Sequence, residues 1–287
     1  MTTEQVIRTG QVQPLSRYLN PLSMARNLWS HRELAWQLAK RELLARYREA
    51  RLGILWSILT PLALLGIYTF VFSVVFQGRW GNDPNESRGE FALTVFCGML
   101  LYNLFAEVVN RAPVMIVANP NYVKRVVFPL EVFVVSGLIS GLINMLIGYG
   151  VWLAGWMLII RDLPSWTMVW FPLVLVPVCL TTGGVSWILA SLGVFLRDIG
   201  HAVGLITQML FFATPIVYSL QHVPQPFRRV LELNPLTHYI QDARRVLMYG
   251  EQPYWGWWAG SAAASVLLAV LGYAFFMKSK RAFADVL

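Results

Sequence analysis

Arg46, Arg48 and Arg51 stand close together just before a long apolar run, and Arg244 and Arg245 are adjacent in a polar segment nearer the C-terminus. A guanidinium presents a planar fork of donors that matches phosphate oxygens bidentately, so the chemistry open to these residues is anion recognition. The plain alternatives are anchoring to an inner leaflet for the first group and salt bridging to Asp242 or Glu232 for the second. Bond-making chemistry has no such foothold. None of the four lysines follows a glycine, so no Walker A loop is present for ATP phosphates. Asp83, Asp162, Asp198, Asp242 and Asp285 are scattered rather than clustered for metal-assisted phosphoryl transfer. His31, His201, His222 and His238 lack metal-ligand spacing, and His238 reads as a helix-surface residue.

The elements that must carry these residues are set by hydropathy. The chain has 287 residues, 56% hydrophobic and only 13% charged, against about 25% charged in a soluble domain. At roughly 20 residues per crossing, six spans are predicted: 54–76, 91–109, 132–160, 169–195, 202–220 and 257–277. Cys97 and Cys179 fall inside spans, so no disulfide framework is implied. The first 50 residues hold no apolar run and hence no cleavable signal peptide. Glu107 is the one ionisable group expected within a span, with Arg111 one helical turn away as its partner. An ion-coupled transporter needs more intramembrane carboxylate than that.

Sorting charge by this topology is informative. The side bearing both termini carries 16 of the 23 Lys and Arg residues against eight acids, and the other side has seven of each. By the positive-inside rule both termini are cytoplasmic. The basic residues hug the membrane ends, which makes the charge a topology signal and nucleic-acid binding a poor reading.

Three polar stretches stand out. Residues 31–51 read as a helix free of Gly and Pro, either a solvated basic helix or one lying on the inner leaflet with Trp36 and Tyr47 at the interface. The inner loop 111–130 is unusually apolar. A short helix after Pro113, broken at Asn119-Pro120, would expose Val114, Ile116 and Val117 to a partner or fold them back on the membrane. In segment 220–256, Asn234 is a good N-cap and Pro235 a good first helical residue. Leu236, Tyr239, Ile240, Ala243 and Val246/Leu247 follow at helical spacing, and Gly250 can close the helix. A shorter helix is predicted before it, over 226–233. Neither can cross a bilayer, so the pair reads as re-entrant or surface-lying, a geometry allowed only under protein or beside water. Small-residue pairs at 136–141 and at Gly260/Ala264 predict close packing within the chain.

Three blocks then carry a resemblance. RYREARLGILWSILTP, over 46–61, resembles the entry to the first span in ABC-2 type permeases that export bacterial polysaccharides, the Wzm, KpsM and TagG groups. Asn121-Tyr122-Val123-Lys124-Arg125 followed by Phe128-Pro129-Leu130-Glu131 is similar to their inner loop before the third span, in the form found in the O-antigen and teichoic acid branch. Asn234-Pro235-Leu236 with Arg244 and Arg245 is similar to their outer segment before the last span. The blocks occur in the family's order, so the resemblance covers nearly the whole chain.

The resemblance implies an all-α polytopic fold of the ABC-2 exporter type in a bacterial inner membrane: a cytoplasmic segment with its interfacial helix (1–53), six spans (54–277) and a short tail (278–287). It implies a homodimer with two copies of a separate ATPase subunit, which binds the ATP and magnesium, so that this chain needs no cofactor and is no enzyme by itself. The cargo would be a polysaccharide on undecaprenyl diphosphate, entering past Arg46, Arg48 and Arg51. Tyr68, Phe72, Phe211, Phe212 and Tyr218 would offer flat faces along a conduit, although lipid-facing or core packing is the plain reading for each. Val114, Ile116, Val117, Asn119 and Tyr122 would couple to the ATPase, and Asn234, Pro235, Tyr239, Arg244 and Arg245 would belong to an outer gate. Rival readings are an ABC-2 permease for a drug or small lipid, a membrane-embedded glycosyl- or acyltransferase, and a secondary transporter.

Overall fold

A computed structural model describes residues 18–48, 55–75, 80, 87–124 and 128–287. Among these every regular element is helical. Asn20 starts the first, α1 (Pro21–Ser30), by accepting from the backbone N–H groups of Leu22 and Ser23. After a turn at His31 comes α2 (Arg32–Arg48), which lies against the long helix Val132–Ile159. The helix expected over 31–51 is therefore present as α2, and α1 before it has no counterpart among the expectations. Trp29 and Trp36 are exposed on them.

Four helices are long and apolar enough to cross a membrane: α4 (Arg88–Met115), α6 (Val132–Ile159), α7 (Phe171–Phe195, with a preceding 3-10 turn at Trp166–Trp170) and α11 (Trp255–Ser279). They correspond to the second, third, fourth and last expected spans. The other two apolar runs are shorter. The first is α3 (Trp56–Tyr68), continued by a π-helical stretch at Thr69–Val75. The second is α8 (Ile199–Phe212), which stops well before the expected 220. Its stop has a local cause. Pro215 has no N–H and disfavours helix in the residue before it, and Thr214 turns its hydroxyl back to the Leu210 carbonyl at 2.6 Å.

α4 is the most buried of the long helices. Ser87 and Glu90 start it with a reciprocal capping box at 3.1 and 2.9 Å. It runs past Val109 and through Pro113 to Met115. The end of α7 presses on that turn: a Cβ at Gly193 would lie 2.0 Å from the Pro113 carbonyl oxygen. The small residues of the third span pack within the chain as predicted, with Gly141 against Leu104 and Val108 of α4. The last span behaves otherwise. A Cβ placed on Gly260 would meet nothing within 4 Å, whereas one on Gly272 would lie only 2.2 Å from the Gly184 carbonyl oxygen. There α7 and α11 touch backbone to backbone.

The polar segment before α11 forms two helices, α9 (Gln225–Glu232) and α10 (Pro235–Leu247), followed by Gly250 at φ +65°. At about 1.5 Å per residue α10 is some 20 Å long, too short for a bilayer. It packs on α4 and α7 through Leu236, Tyr239, Ile240, Ala243, Val246 and Leu247, all buried. A last short helix, α12 (Phe283–Val286), buries Phe283.

Candidate functional site

The end of the bundle opposite the termini is organised by one cation. Arg244 falls on the same helical face as Ile240 and Leu247, so folding α10 onto its apolar stripe carries the guanidinium inside, where it is 3% exposed. All three of its nitrogens donate to backbone carbonyls: Nε to Thr94 at 3.1 Å, Nη1 to Pro215 at 2.6 Å and Nη2 to Ile216 at 2.8 Å. The Trp80 ring covers it at 3.9 Å. Two of the acceptors exist because α8 ends early: Pro215 and Ile216 lie in the turn after it, with carbonyls not engaged in a helix. Burial pushes the guanidinium down to about 10, so it stays charged at neutral pH. Gly98 leaves room for it, since a Cβ there would lie 2.6 Å from Arg244 Nη2.

Two neighbours fasten the same segment. Asn234 accepts from the Leu236 N–H at 3.0 Å and donates to the Thr214 hydroxyl at 2.8 Å, so the N-cap of α10 is tied to the end of α8. The Tyr239 hydroxyl lies 2.9 Å from Thr181 Oγ1 of α7 and 3.0 Å from Ser265 Oγ of α11. Asp242 accepts from the Tyr254 N–H at 3.0 Å, and its burial raises the carboxyl above the ordinary range. Beside this assembly opens a cavity of about 800 Å³, whose lining includes Trp80, Trp156, Gln241, Arg245, Tyr249 and Glu251.

The end bearing the termini is fastened by a carboxylate. Glu131, 3% exposed at the start of α6, accepts from Asn27 of α1 at 3.0 Å and from Lys280 Nζ at 2.8 Å. Asn27 also donates to the Tyr273 hydroxyl at 2.8 Å, and Trp187 of α7 donates to the Glu131 backbone carbonyl at 3.2 Å. Burial alone raises this carboxyl, but the Lys280 ammonium and the two donated bonds outweigh it and hold Glu131 below the usual range. Nearby, Arg111 pairs with Glu42 of α2, and Glu107 accepts from Asn144 with both oxygens at 3.1 Å. The expected partner of Glu107 thus reaches across to α2, and an amide from α6 serves Glu107.

The remaining expected residues distribute unevenly. Arg46 and Arg48 lie on the last turn of α2, and their side chains, like Arg51, fall outside what is described. The side chains of Tyr68 and Phe72 do so too, although their backbones belong to α3 and its π-helical continuation. Phe211 packs edge-on against Tyr102 at 5.3 Å, Phe212 is 64% exposed, and the Tyr218 hydroxyl donates to the Phe212 carbonyl at 2.8 Å. In the 111–130 loop the short helix, α5 (Pro120–Lys124), follows Pro120 rather than Pro113. Val114 and Val117 are exposed as expected, but Ile116 is fully buried because the turn continues from α4 and points it inward. Asn119 donates to the Met115 carbonyl at 2.9 Å, and Tyr122 accepts from Arg41 at 3.2 Å. Arg245 stays on the rim, paired with Glu251 at 3.2 Å, and Arg228 pairs with Glu232 at 3.0 Å. His238 is half-buried, stacked on Trp257 at 4.1 Å. The Glu131 cluster has no counterpart among the sequence expectations. Its one signal in the sequence is a lone acid at the very start of an apolar run.

Arg244 differs from its expected role as a diphosphate ligand. Its donors are taken up by three carbonyls, and it holds the segment in place.

Comparison with known proteins adds to this geometry. The model of the ABC-2 type transporter family matches residues 33–249. An O-antigen export system permease protein RfbA of Klebsiella pneumoniae is 28% identical over 267 residues, covering 93% of this chain and 99% of that protein. An RfbA of Myxococcus xanthus is 29% identical over 276 residues, covering 92% and 99%. The polysialic acid transport protein KpsM of Escherichia coli is 27% identical over 217 residues, covering 73% and 79%.

Proposed function

We propose, from the premise that this chain belongs to the ABC-2 type transporter family, that it is the membrane permease of a polysaccharide exporter of the O-antigen type. The observation that carries this is likeness to O-antigen export permeases along practically their full length. A chain with no nucleotide-binding loop needs energy from elsewhere, and family membership supplies the source, a separate ATPase subunit that holds ATP and magnesium.

In this reading the permease crosses the bacterial inner membrane six times, with α3 and its π-helical continuation as the first span and α8 with the following turn as the fifth. The terminus-bearing end is cytoplasmic, consistent with its excess of Lys and Arg. Two copies assemble around a conduit. Support comes from α8, which buries only Val203 and Thr207 and leaves Leu205, Ile206, Met209 and Phe212 exposed, and from the similarly exposed Leu59, Leu62, Ile67 and Phe70 of the first span. Tyr68, Phe72, Phe211, Phe212 and Tyr218 lie along these two elements. A lipid diphosphate enters near Arg46, Arg48 and Arg51. The ATPase docks on Val114, Val117 and Tyr122 with α1 and α2 beside it, and α9 and α10 close the outer mouth.

Deleting the chain is expected to make a lipid-linked glycan accumulate in the cytoplasm. Its absence would refute the export reading. Alanine at Arg46, Arg48 and Arg51 in turn, with protein level controlled, tests the entry: undiminished export in all three removes these residues from it. Val117→Asp is expected to weaken co-purification of the ATPase, and undiminished association would exclude this loop as the dock.

A further inference from the structure

The 800 Å³ cavity at the outer end has chemistry that neither the conduit nor the gate uses. Its volume is within the range of about 300–1,000 Å³ typical of small-molecule sites. Three aromatic side chains, Trp80, Trp156 and Tyr249, come to it from well-separated positions in the chain, together with Gln221, Gln241 and Glu90. Trp80 and Trp156 are buried and held, the first over Arg244 and the second by its indole N–H on the Asp162 carbonyl at 3.1 Å. Tyr249, half exposed, presents its ring at the rim. Aromatic faces with amide and carboxylate hydrogen-bonding groups suit a ligand that is apolar on the faces of its rings and hydroxylated around their edges.

The charges of the cavity argue against an anion. Arg228 and Arg245, the rim cations, are already paired with Glu232 and Glu251 at 3.0 and 3.2 Å. Arg244 is committed to three carbonyls. A phosphate would have to break one of these sets, whereas a neutral hydroxylated ring needs only the glutamines and the second oxygens of Glu90 and Glu251, whose first oxygens serve the Ser87 N–H and Arg245.

We infer that this cavity is a saccharide subsite, one per chain, that holds a sugar residue of the glycan on the far side of the gate. The inference rests on the export reading, because a glycan must reach the outer face to be bound there. A neutral sugar seated against α10 and the turn after α8 would favour the arrangement in which Arg244 clasps both, so occupancy is linked to the position of the gate.

The test uses the full permease with its ATPase in lipid nanodiscs. The probe is the host cell's own glycan, released from its lipid by mild acid, and binding is read by saturation-transfer NMR. Wild type is expected to transfer saturation to the sugar ring protons. Tyr249→Ala and Gln241→Ala are each expected to weaken the glycan about tenfold, equivalent to about 1.4 kcal/mol, while Tyr249→Phe keeps it. Unchanged binding in both alanine variants overturns the assignment, as does displacement of the glycan by equimolar inorganic diphosphate, which would mark an anion site. The deletion strain is assayed in parallel. If lipid-linked glycan accumulates there but the purified wild type binds none, the subsite is refuted and the export reading stands. If none accumulates, the export reading itself fails.

Discussion

The two ends of the helical bundle are each fastened by a buried charge, but by opposite chemistry. At the terminus-bearing end a carboxylate meets an ammonium: Glu131 and Lys280, 2.8 Å apart, with Asn27 closing the second oxygen. At the far end a guanidinium meets only dipoles, the carbonyls of Thr94, Pro215 and Ile216, and an aromatic face. An ion pair is strong at almost any orientation but depends on both groups keeping their charge. A cation held by three carbonyls is insensitive to pH and depends instead on the backbone presenting those oxygens in one place. The first fastening is therefore titratable and the second is geometric. The second couples α10, α4 and the turn after α8 in one contact.

This contrast can be broken experimentally. The largest effect is expected from Arg244→Ala, which leaves the Pro215 and Ile216 carbonyls buried without their donor and should cost about 3–5 kcal/mol in thermal unfolding of the purified protein. Arg244→Lys should recover little, since one ammonium cannot reproduce a planar three-way fork. Recovery to wild-type stability would show that charge alone suffices.

Glu131→Gln is expected to cost about 2–4 kcal/mol at pH 7 by leaving Lys280 without its carboxylate. Because Glu131 is held below its ordinary value of 4.5 when folded, its contribution is present above that value and lost as pH falls through the lower folded value. The melting temperatures of wild type and Glu131→Gln should therefore converge on acidification. Parallel curves would contradict a titratable fastening.

Gly98→Ala tests geometry without touching charge. Its Cβ would displace Arg244 Nη2, at an expected cost of about 1–3 kcal/mol, while the acid response due to Glu131 is unchanged. The smallest effect is expected at Asp242. Its carboxyl is raised by burial, so its contribution is greatest at low pH and lost as pH rises through the folded value. Asp242→Asn keeps an acceptor for the Tyr254 N–H and should stabilise the protein at pH 7 by less than about 1 kcal/mol. A destabilised variant would show that the carboxylate's attraction to Arg245 and His238 outweighs its burial.

The four long helices and the amphipathic α10 are legible in the sequence because hydropathy and capping are local. Asn234, Pro235 and the apolar stripe through Leu247 do in the structure what their spacing predicts. Where α8 ends is less legible. Apolar residues continue past Phe212, and only Pro215, read as a helix breaker, marks the stop. The role of Arg244 cannot be read at all. In the sequence Arg244 and Arg245 are neighbours of one type. A rotation of about 100° along the helix sends one into the protein and leaves the other at the rim, and the acceptors come from residues far away in the chain. Ile116 departs from its expected exposure for a related reason: the second span runs six residues beyond its expected end at 109, and this turns that side chain inward.

Gly184 and Gly272 give the molecule a mechanical asymmetry. With no side chain between them, α7 and α11 share a contact that has only one spacing, and Tyr239 bolts α10 to both through Thr181 and Ser265. That trio is a stator. α3 has no buried residue among those whose side chains are described, and α8 has two. Within one chain, α3 and α8 are therefore the staves with the least packing to give up, and the α7–α11 frame the part with the most.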